Sequence, residues 1–322
     1  MNNSRLGNLI CKDKFLTQRF LENAQIKTPV GKMFNPDELE KAKSFINQSP
    51  EKSFVLKPVS MSMSLGTFLN VGASNLVNSW TESFKVQKKY DVKNPRVLIQ
   101  EQIKGLELRI IVLEGRIGSA VFRGPGNVMG DGKHSIKELI NIKNAQREKH
   151  NYLKRNPLLI NENLLRNLES KNLTIDTVLP EGEYCVLYSQ SSIATGREVF
   201  EVSKYLDQNI FDQVLQAVTA IPGVHTAGVD IFVDNLNASE GTIIEVNLNP
   251  ALQLHYYPMT GEATNPLSDI FQFHNIDRDV LNDKIDFDTL TKKEFNMIME
   301  RYKYLYNKQK KLSHGFSSFL KL

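Results

Sequence analysis

Cysteine is scarce in this chain: two residues in 322, Cys11 and Cys185, far apart and in no CxxC pair. Two lone thiols point to a reducing compartment rather than a disulfide framework. Long apolar runs are missing too. Stretches such as Ile110–Leu113 are only strand length, so no membrane span is expected. Residues 1–15 hold no apolar segment long enough for a secretory signal. These absences together lead us to expect a soluble cytoplasmic protein. A GxxxxGK[ST] phosphate loop is absent, the six histidines form no ligand motif, and no internal repeat is visible. Charge of one sign is nearly missing as well. The net charge is +4, and it is unevenly placed. Residues 290–322 carry +6, which leaves −2 for the other 289. A near-neutral body argues against nucleic-acid binding.

What is present suits an ordinary globular protein: 41% apolar and 24% charged residues. The length suggests about two domains. Residues 12–25 read as one helix, broken by Thr28-Pro29. A second helix opens at Asn35-Pro36-Asp37. Strands are expected at Phe54–Lys57 and Thr67–Val71 around a loop of small residues, 60–66. Ser74–Lys89 reads as a helix and Val97–Gln102 as a strand. Leu108–Leu113 and Ile117–Arg123 form a hairpin about Glu114-Gly115. Ser135 and Glu138 have capping-box spacing at the start of a helix. Residues 141–170 read as polar helix, Val186–Tyr188 and Val199–Val202 as strands, and Asp207–Ile221 as a helix. Val229–Val233 and Ile243–Leu248 are further strands. The strand pairs look like hairpins rather than βαβ units, so the expected class is α+β with antiparallel sheets in two lobes.

Four stretches carry chemistry. In Ile243–Pro250 (IIEVNLNP) the strand period sends Glu245, Asn247 and Asn249 to one face and Ile244, Val246 and Leu248 to a buried one. A carboxylate and an amide oxygen two residues apart can share a hard cation, and Asp230, in a similar strand earlier in the chain, can flank the same site if the two strands pair. Lys57 ends a strand beside the small-residue loop, where it can meet phosphate together with backbone N–H groups and serine hydroxyls. Glu101 to Arg109 is an acidic strand end followed by Gly-x-Glu-x-Arg, with Glu107 and Arg109 on one face. Arg123 precedes the glycine-rich run Gly124–Gly132 and can clamp a phosphate or carboxylate. Taken singly, each also reads as a solvated face, a surface turn or a salt-bridged strand.

Their order along the chain resembles the ATP-grasp superfamily. It is most similar to the ATP-grasp module of bifunctional glutathione-synthesising enzymes and of cyanophycin synthetase. The matching stretches are Lys12–Lys14 with Thr17, Val55–Pro58, Glu101–Arg109, Arg123–Asn144 (FRGPGNVMGDGKHSIKELINIKN), Leu179–Gly182 and Ile244–Pro250. They span about residues 10–275. The resemblance implies an N-terminal lobe at 1–105 with a mobile lid near 60–66, and a C-terminal lobe at 106–275 with metal and acceptor sites. The basic helical tail, 276–322, would follow. It implies that Lys14 and Lys57 contact ATP phosphates and that Ser62, Ser64 and Gly66 form the lid. Glu101 and Ile103 would lie at the adenine and Glu107 at the ribose. Arg109, Arg123 and Arg197 would take the catalytic roles at the transferred phosphoryl group and the acceptor. Asp230, Glu245 and Asn247 would bind two Mg²⁺, with Mn²⁺ as the alternative ion. The implied reaction is ATP-dependent amide or peptide bond formation from a small-molecule carboxylate and an amine, through an acylphosphate.

The chain also departs from those relatives. Its lid carries Met61, Met63 and three serines. Arg197 stands where the relatives have a second glycine. It either binds an anionic substrate or salt-bridges at the surface, and the sequence leaves both open. The resemblance starts almost at the first residues, so substrate contacts usually supplied by a preceding domain are expected from a partner chain or a dimer mate. These departures keep a second reading alive, a non-catalytic or partner-dependent ATP-binding subunit. In the tail, Phe295, Ile298, Tyr302 and Leu305 recur at helical spacing. They predict an amphipathic helix packed on the C-terminal lobe or at a subunit interface, with a membrane surface or an acidic partner as alternatives.

Overall fold

The computed structural model describes residues 3–62, 64–151, 153–188 and 198–319. The chain opens with two helices, α1 (Arg5–Lys12) and α2 (Lys14–Asn23), where the sequence pattern predicts one over 12–25. Asp13 makes the break. Its backbone is extended, its N–H closes α1 on Ile10 O, and its carboxylate accepts the N–H of Leu16 at 2.8 Å to start α2. A side chain that competes for backbone N–H groups favours such a cap over a helix interior.

The first sheet has four antiparallel strands in the order β1-β4-β2-β3. These are β1 (Gly31–Phe34), β2 (Phe54–Pro58), β3 (Phe68–Val71) and β4 (Val97–Glu101). Helices α3 (Leu39–Ile46) and α4 (Leu76–Lys89) cover one face, over a core that includes Phe34, Ile46, Leu56, Trp80 and Ile99. Strand β1 is not legible in the sequence. Its four residues, GKMF, give too little alternation, and pairing with β4 is what makes them extended.

Beyond β4 the chain enters β5 (Leu106–Leu113) and β6 (Arg116–Gly124). The connection is the expected tight turn, with Glu114 at φ 51° and Gly115 at φ 89°. Next comes a small unit: β7 (Asn127–Met129), α5 (Ile136–Glu148), α6 (Glu162–Glu169) and β8 (Tyr184–Val186). Strands β7 and β8 pair with each other, and the helices pack on them through Ile136, Ile140, Leu164 and Leu168. The Ser135–Glu138 capping box is present. The single polar helix expected over 141–170 is two separate helices. Asn144, on α5, bonds through its side chain to both the N–H and the carbonyl of Leu158 in the connecting segment.

Strands β9 (Glu198–Glu201), β10 (Thr226–Val233) and β11 (Thr242–Asn247) complete a five-stranded antiparallel sheet, ordered β11-β10-β5-β6-β9. Helix α7 (Gln208–Ala220) buries Val214, Ala217 and Val218 against Leu108, Ile110 and Val112. Each of the valine, leucine and isoleucine side chains among them contributes roughly 1.5–3 kcal/mol. One irregularity corrects the sequence reading of β11. Glu245 opposes Asp230, but the next pair is Ile231 with Ile243, so Ile244 is an extra residue in a bulge. The buried set is therefore Ile243, Val246 and Leu248, and Ile244 is only half-buried.

Three helices follow: α8 (Gln253–Tyr256), α9 (Ser268–Leu281) and α10 (Lys292–Phe319). The packed face of α10 overlaps the predicted one only at Ile298 and the half-buried Leu305. Met297, Ile298, Tyr304 and Lys308 are buried, whereas Phe295 is 39% and Tyr302 57% exposed. Polar tips decide this. Lys308 Nζ donates to the carbonyls of Val218, Ile221 and Val224 at 2.8, 3.0 and 2.7 Å, closing the end of α7. Arg301 pairs with the buried Glu114 of the β5–β6 turn at 3.0 Å. Two of the tail's lysine and arginine side chains are thus structural, which hydropathy spacing alone does not register. Among the described residues no helix is long and apolar enough to cross a membrane.

Candidate active site

Strand pairing brings distant residues onto one sheet face. Asp230 of β10 lies opposite Arg109 of β5 on one side and opposite Glu245 of β11 on the other. Arg109 grips the Asp230 carboxylate with Nε and Nη2, the latter at 2.7 Å to Oδ2. Arg123 of β6 reaches the same carboxylate at 2.9 Å and also bonds Glu107. Glu107 and Arg109 share a strand face, as the period of two requires. Asn247 Nδ2 lies 3.3 Å from both Asp230 Oδ2 and Glu245 Oε2, so these three side chains converge.

The first sheet and α2 supply the facing wall. Lys14, placed by the Asp13 cap, bonds through its N–H to Val59 O at 3.0 Å and through Nζ to Met61 O. Its ammonium is 3.5 Å from Glu245 Oε1. Lys57, next to last in β2, has its side chain buried, and no hydrogen bond or ion pair reaches its Nζ among the described residues. The loop after β2 folds as consecutive turns, with Leu65 N bonded to Ser62 O and Thr67 N to Ser64 O. Ser64 and Gly66 both have left-handed backbones, at φ 57° and 69°. The serine pays a steric cost there that glycine does not.

Not every sequence candidate joins this cluster. Glu101 ends β4 and is paired with Lys52 at 2.6 Å, and Ile103 is half-buried in the following segment. Arg197 lies outside the described residues, as does Met63. The structure adds groups that sequence reasoning missed. His255 is fully buried, hydrogen-bonded to Ser119 through Nδ1. Burial, then Arg109 and Arg123, push its pKa down to about 3, so it is a neutral ring at the back of the arginines. A lone histidine gives no sequence signal for this. A second missed group is the buried carboxylate of Glu198, held by Lys143 at 2.5 Å, Asn127 at 3.1 Å and Arg147 at 3.7 Å. Lys143 and Arg147, four apart on α5, were its available signal.

The electrostatics of the main cluster favour an anion. Lys14, Lys57, Arg109 and Arg123 supply four positive charges against three from Glu107, Asp230 and Glu245. Burial pulls the Lys57 pKa down to about 8, against the pull of Glu245. Burial alone would raise Asp230, but the two guanidiniums hold its carboxyl well below the usual range. Arg123 Nε is buried with no hydrogen-bond partner. A buried donor without a partner is costly unless a ligand meets it.

Among the described residues no group of three or more His, Cys, Asp or Glu side chains gathers as a metal centre of its own. The donors present still fit a hard cation that arrives with other oxygen ligands. Asp230 and Glu245 are such donors, Asn247 would join them once its amide turns its oxygen rather than Nδ2 toward the two carboxylates, and phosphate oxygens are what Mg²⁺ prefers for the remainder.

A family model described as phosphoribosylglycinamide synthetase, ATP-grasp (A) domain, matches residues 12–120. The glutathione biosynthesis bifunctional protein GshAB of Enterococcus faecalis is 30% identical over 274 residues, covering 82% of this chain and 35% of that protein. The protein of the same description from Streptococcus thermophilus is 30% identical over 280 residues, covering 79% of this chain and 35% of that protein. The chain thus spans about a third of the length of these curated relatives. The crystal structure of a bifunctional glutathione synthetase from Pasteurella multocida superposes with a TM-score of 0.60 at 22% identity, covering 84% of this chain and 37% of that one. With two antiparallel sheets meeting at one cationic cluster, the chain has the ATP-grasp fold, and its ATP-grasp module resembles that of the bifunctional glutathione synthetases.

Proposed function

We propose that this chain is an ATP-dependent carboxylate–amine ligase acting on an amino acid or peptide. The reading rests on one observation above the others: four cations converge on a buried face where Lys57 Nζ and Arg123 Nε have no partner of their own. Such a site is preorganised for a polyphosphate and for the charge that develops on a transferred phosphoryl group. Lys14 and Lys57 hold the phosphates. The turns at Ser62, Ser64 and Gly66 lie over them, because Lys14 already bonds the Met61 carbonyl that begins this loop. Glu101 and Ile103 border the base, and Glu107 the ribose. Asp230, Glu245 and Asn247 would hold two Mg²⁺ ions, with Mn²⁺ as the alternative, and the metal would supply neutralisation of the phosphate charge.

Arg109 and Arg123 orient the acceptor carboxylate and the γ-phosphoryl group in line. One carboxylate oxygen attacks phosphorus, ADP leaves, and the amine then displaces phosphate from the acylphosphate. No side-chain nucleophile is needed, since positioning and charge supply the catalysis. The neutral His255 behind the arginines adds no competing charge. Arg197 is proposed as a further group that binds the acceptor.

Release of ADP and phosphate against a panel of amino acids and dipeptides tests the reading. Turnover with at least one acid–amine pair is expected, falling at least a hundredfold in Glu245→Ala. A Glu245→Ala enzyme as fast as the wild type would sink the metal assignment. Tight Mg-ATP binding with no turnover on any pair would favour the partner-dependent ATP-binding subunit.

A further inference from the structure

Between α2, β4 and β11 lies a cleft of about 290 Å³, open solvent included, whose walls include Lys14, Gln18, Gln100, Ile244 and Glu245. Lys14 and Glu245 belong to the cationic cluster described above, so the cleft opens beside it. Ile244, half-buried at the bulge of β11, supplies an apolar wall. Gln100 shares a sheet face with Lys57. Lys57 is the register partner of Leu98, and Gln100 lies two residues further along β4. Glu101 belongs to the other face and is held by Lys52.

The Gln100 side chain is buried, with the residue 3% exposed, yet only part of its amide is bonded. Its Nε2 donates to Gln18 Oε1 at 2.8 Å, and among the described residues no donor reaches its Oε1. The polarity of this amide is set from behind. Gln18 Nε2 donates to Glu22 Oε1 at 2.7 Å and to Pro29 O at 3.0 Å. Glu22 also pairs with Arg19 at 2.8 Å, as an ionised carboxylate does. An ionised carboxylate and a main-chain carbonyl only accept, so both hydrogens of the Gln18 amide are directed at them. Gln18 therefore turns its oxygen to Gln100. That oxygen also only accepts, so Gln100 must give it an N–H. What remains of Gln100 is the acceptor Oε1 beside one N–H. A structural tie between α2 and β4 accounts for the Gln18–Gln100 bond, but it leaves Oε1 without a donor inside the fold.

We propose that Gln100 reads the purine base, and that the relay Glu22–Gln18–Gln100 fixes it to select adenine over guanine. The inference rests on the ligase reading, which places ATP at this cluster. Adenine carries an amino group beside a ring nitrogen, the donor and acceptor that a glutamine amide meets with its oxygen and its N–H. Guanine in the same seat brings its O6 carbonyl against Oε1, two acceptors facing each other away from water.

Calorimetric titration of the full chain with Mg-ATP, Mg-GTP and the Mg complex of purine riboside triphosphate, which lacks the amino group, is the test. ATP should bind about tenfold more tightly than purine riboside triphosphate and about a hundredfold more tightly than GTP. Gln100→Leu removes the acceptor and should bring ATP and purine riboside triphosphate within about twofold of each other. Gln18→Met keeps Gln100 but releases its amide to turn, so GTP should gain about tenfold relative to ATP. A structural role alone would lower the melting temperature of these variants and leave the ratios unchanged. If Gln100→Leu fails to fold, Gln18→Met alone decides. Wild-type binding of ATP and GTP with equal affinity overturns the assignment and leaves the ligase reading standing, and so does an ATP preference that Gln18→Met does not alter. A wild-type chain that binds none of the three nucleotides overturns both.

Discussion

Lys57 gives the sharpest test of the cationic site, because its charge is titratable in an accessible range. Its ordinary pKa of 10.5 falls to about 8 when buried in the free protein. Burial disfavours the ammonium more than Glu245 and Asp230 favour it, and Lys14 adds repulsion. A bound triphosphate reverses that balance and draws the pKa back towards 10.5. The sign follows. Below pH 8 the free protein already holds the charge that the nucleotide needs. Above it, the free protein has lost the proton and must regain it on binding. One pH unit above 8, only about a tenth of the free protein carries a charged Lys57, so Mg-ATP should bind about tenfold more weakly at pH 9 than at pH 7. Isothermal titration calorimetry reads this directly, and in buffers of different ionisation enthalpy it also counts the proton taken up. Lys57→Arg keeps the charge throughout and should flatten the dependence. Affinity that is level from pH 7 to pH 9 in the wild type would refute the reasoning. An equal decline in Lys57→Arg would move the titration to another group.

Two further outcomes follow from the same geometry. Asp230→Asn removes the anion shared by two buried guanidiniums, so urea unfolding should show a loss of about 3–5 kcal/mol. In the wild type this contribution is fully present above the usual aspartate pKa and is lost as pH falls through the lowered folded value. Gly115→Ala should destabilise the chain by at least about 1 kcal/mol and loosen α10, seen as faster amide exchange in residues 297–308. Its φ is 89°, and an added Cβ would sit 2.2 Å from Cγ of Tyr304.

Much of the sheet architecture was legible in the sequence, because local patterns report local chemistry. The Glu114-Gly115 turn, the Ser135 capping box and the apolar alternation of β5 and β6 each state a backbone preference within a few residues. The boundary at Asp13 was missed because a capping aspartate inside an apolar period looks like helix surface. Strand β1 was missed because four residues carry no period. The bulge at Ile244 is invisible in the sequence because register is a property of two strands together, and the pattern of one strand does not contain it.

The site divides along the same line. Residue type and order determined which groups could meet a phosphate: Lys14, Lys57, Arg109, Arg123, and the oxygen donors of IIEVNLNP. Their physical requirement is a charge or a lone pair, and that is written in the side chain. Only the tertiary structure decided how those charges are shared. It set Asp230 between two arginines, left Lys57 buried without a bonded partner, and put the unsignalled His255 behind them. The scarcity of net charge had a similar outcome. The sequence assigned the +6 to a tail, but packing determined that Lys308 and Arg301 are spent on the body while one aromatic face stays open. Burial and pairing depend on neighbours far along the chain, as with the carbonyls of Val218 and Val224, 90 and 84 residues from Lys308, so no window of sequence contains them.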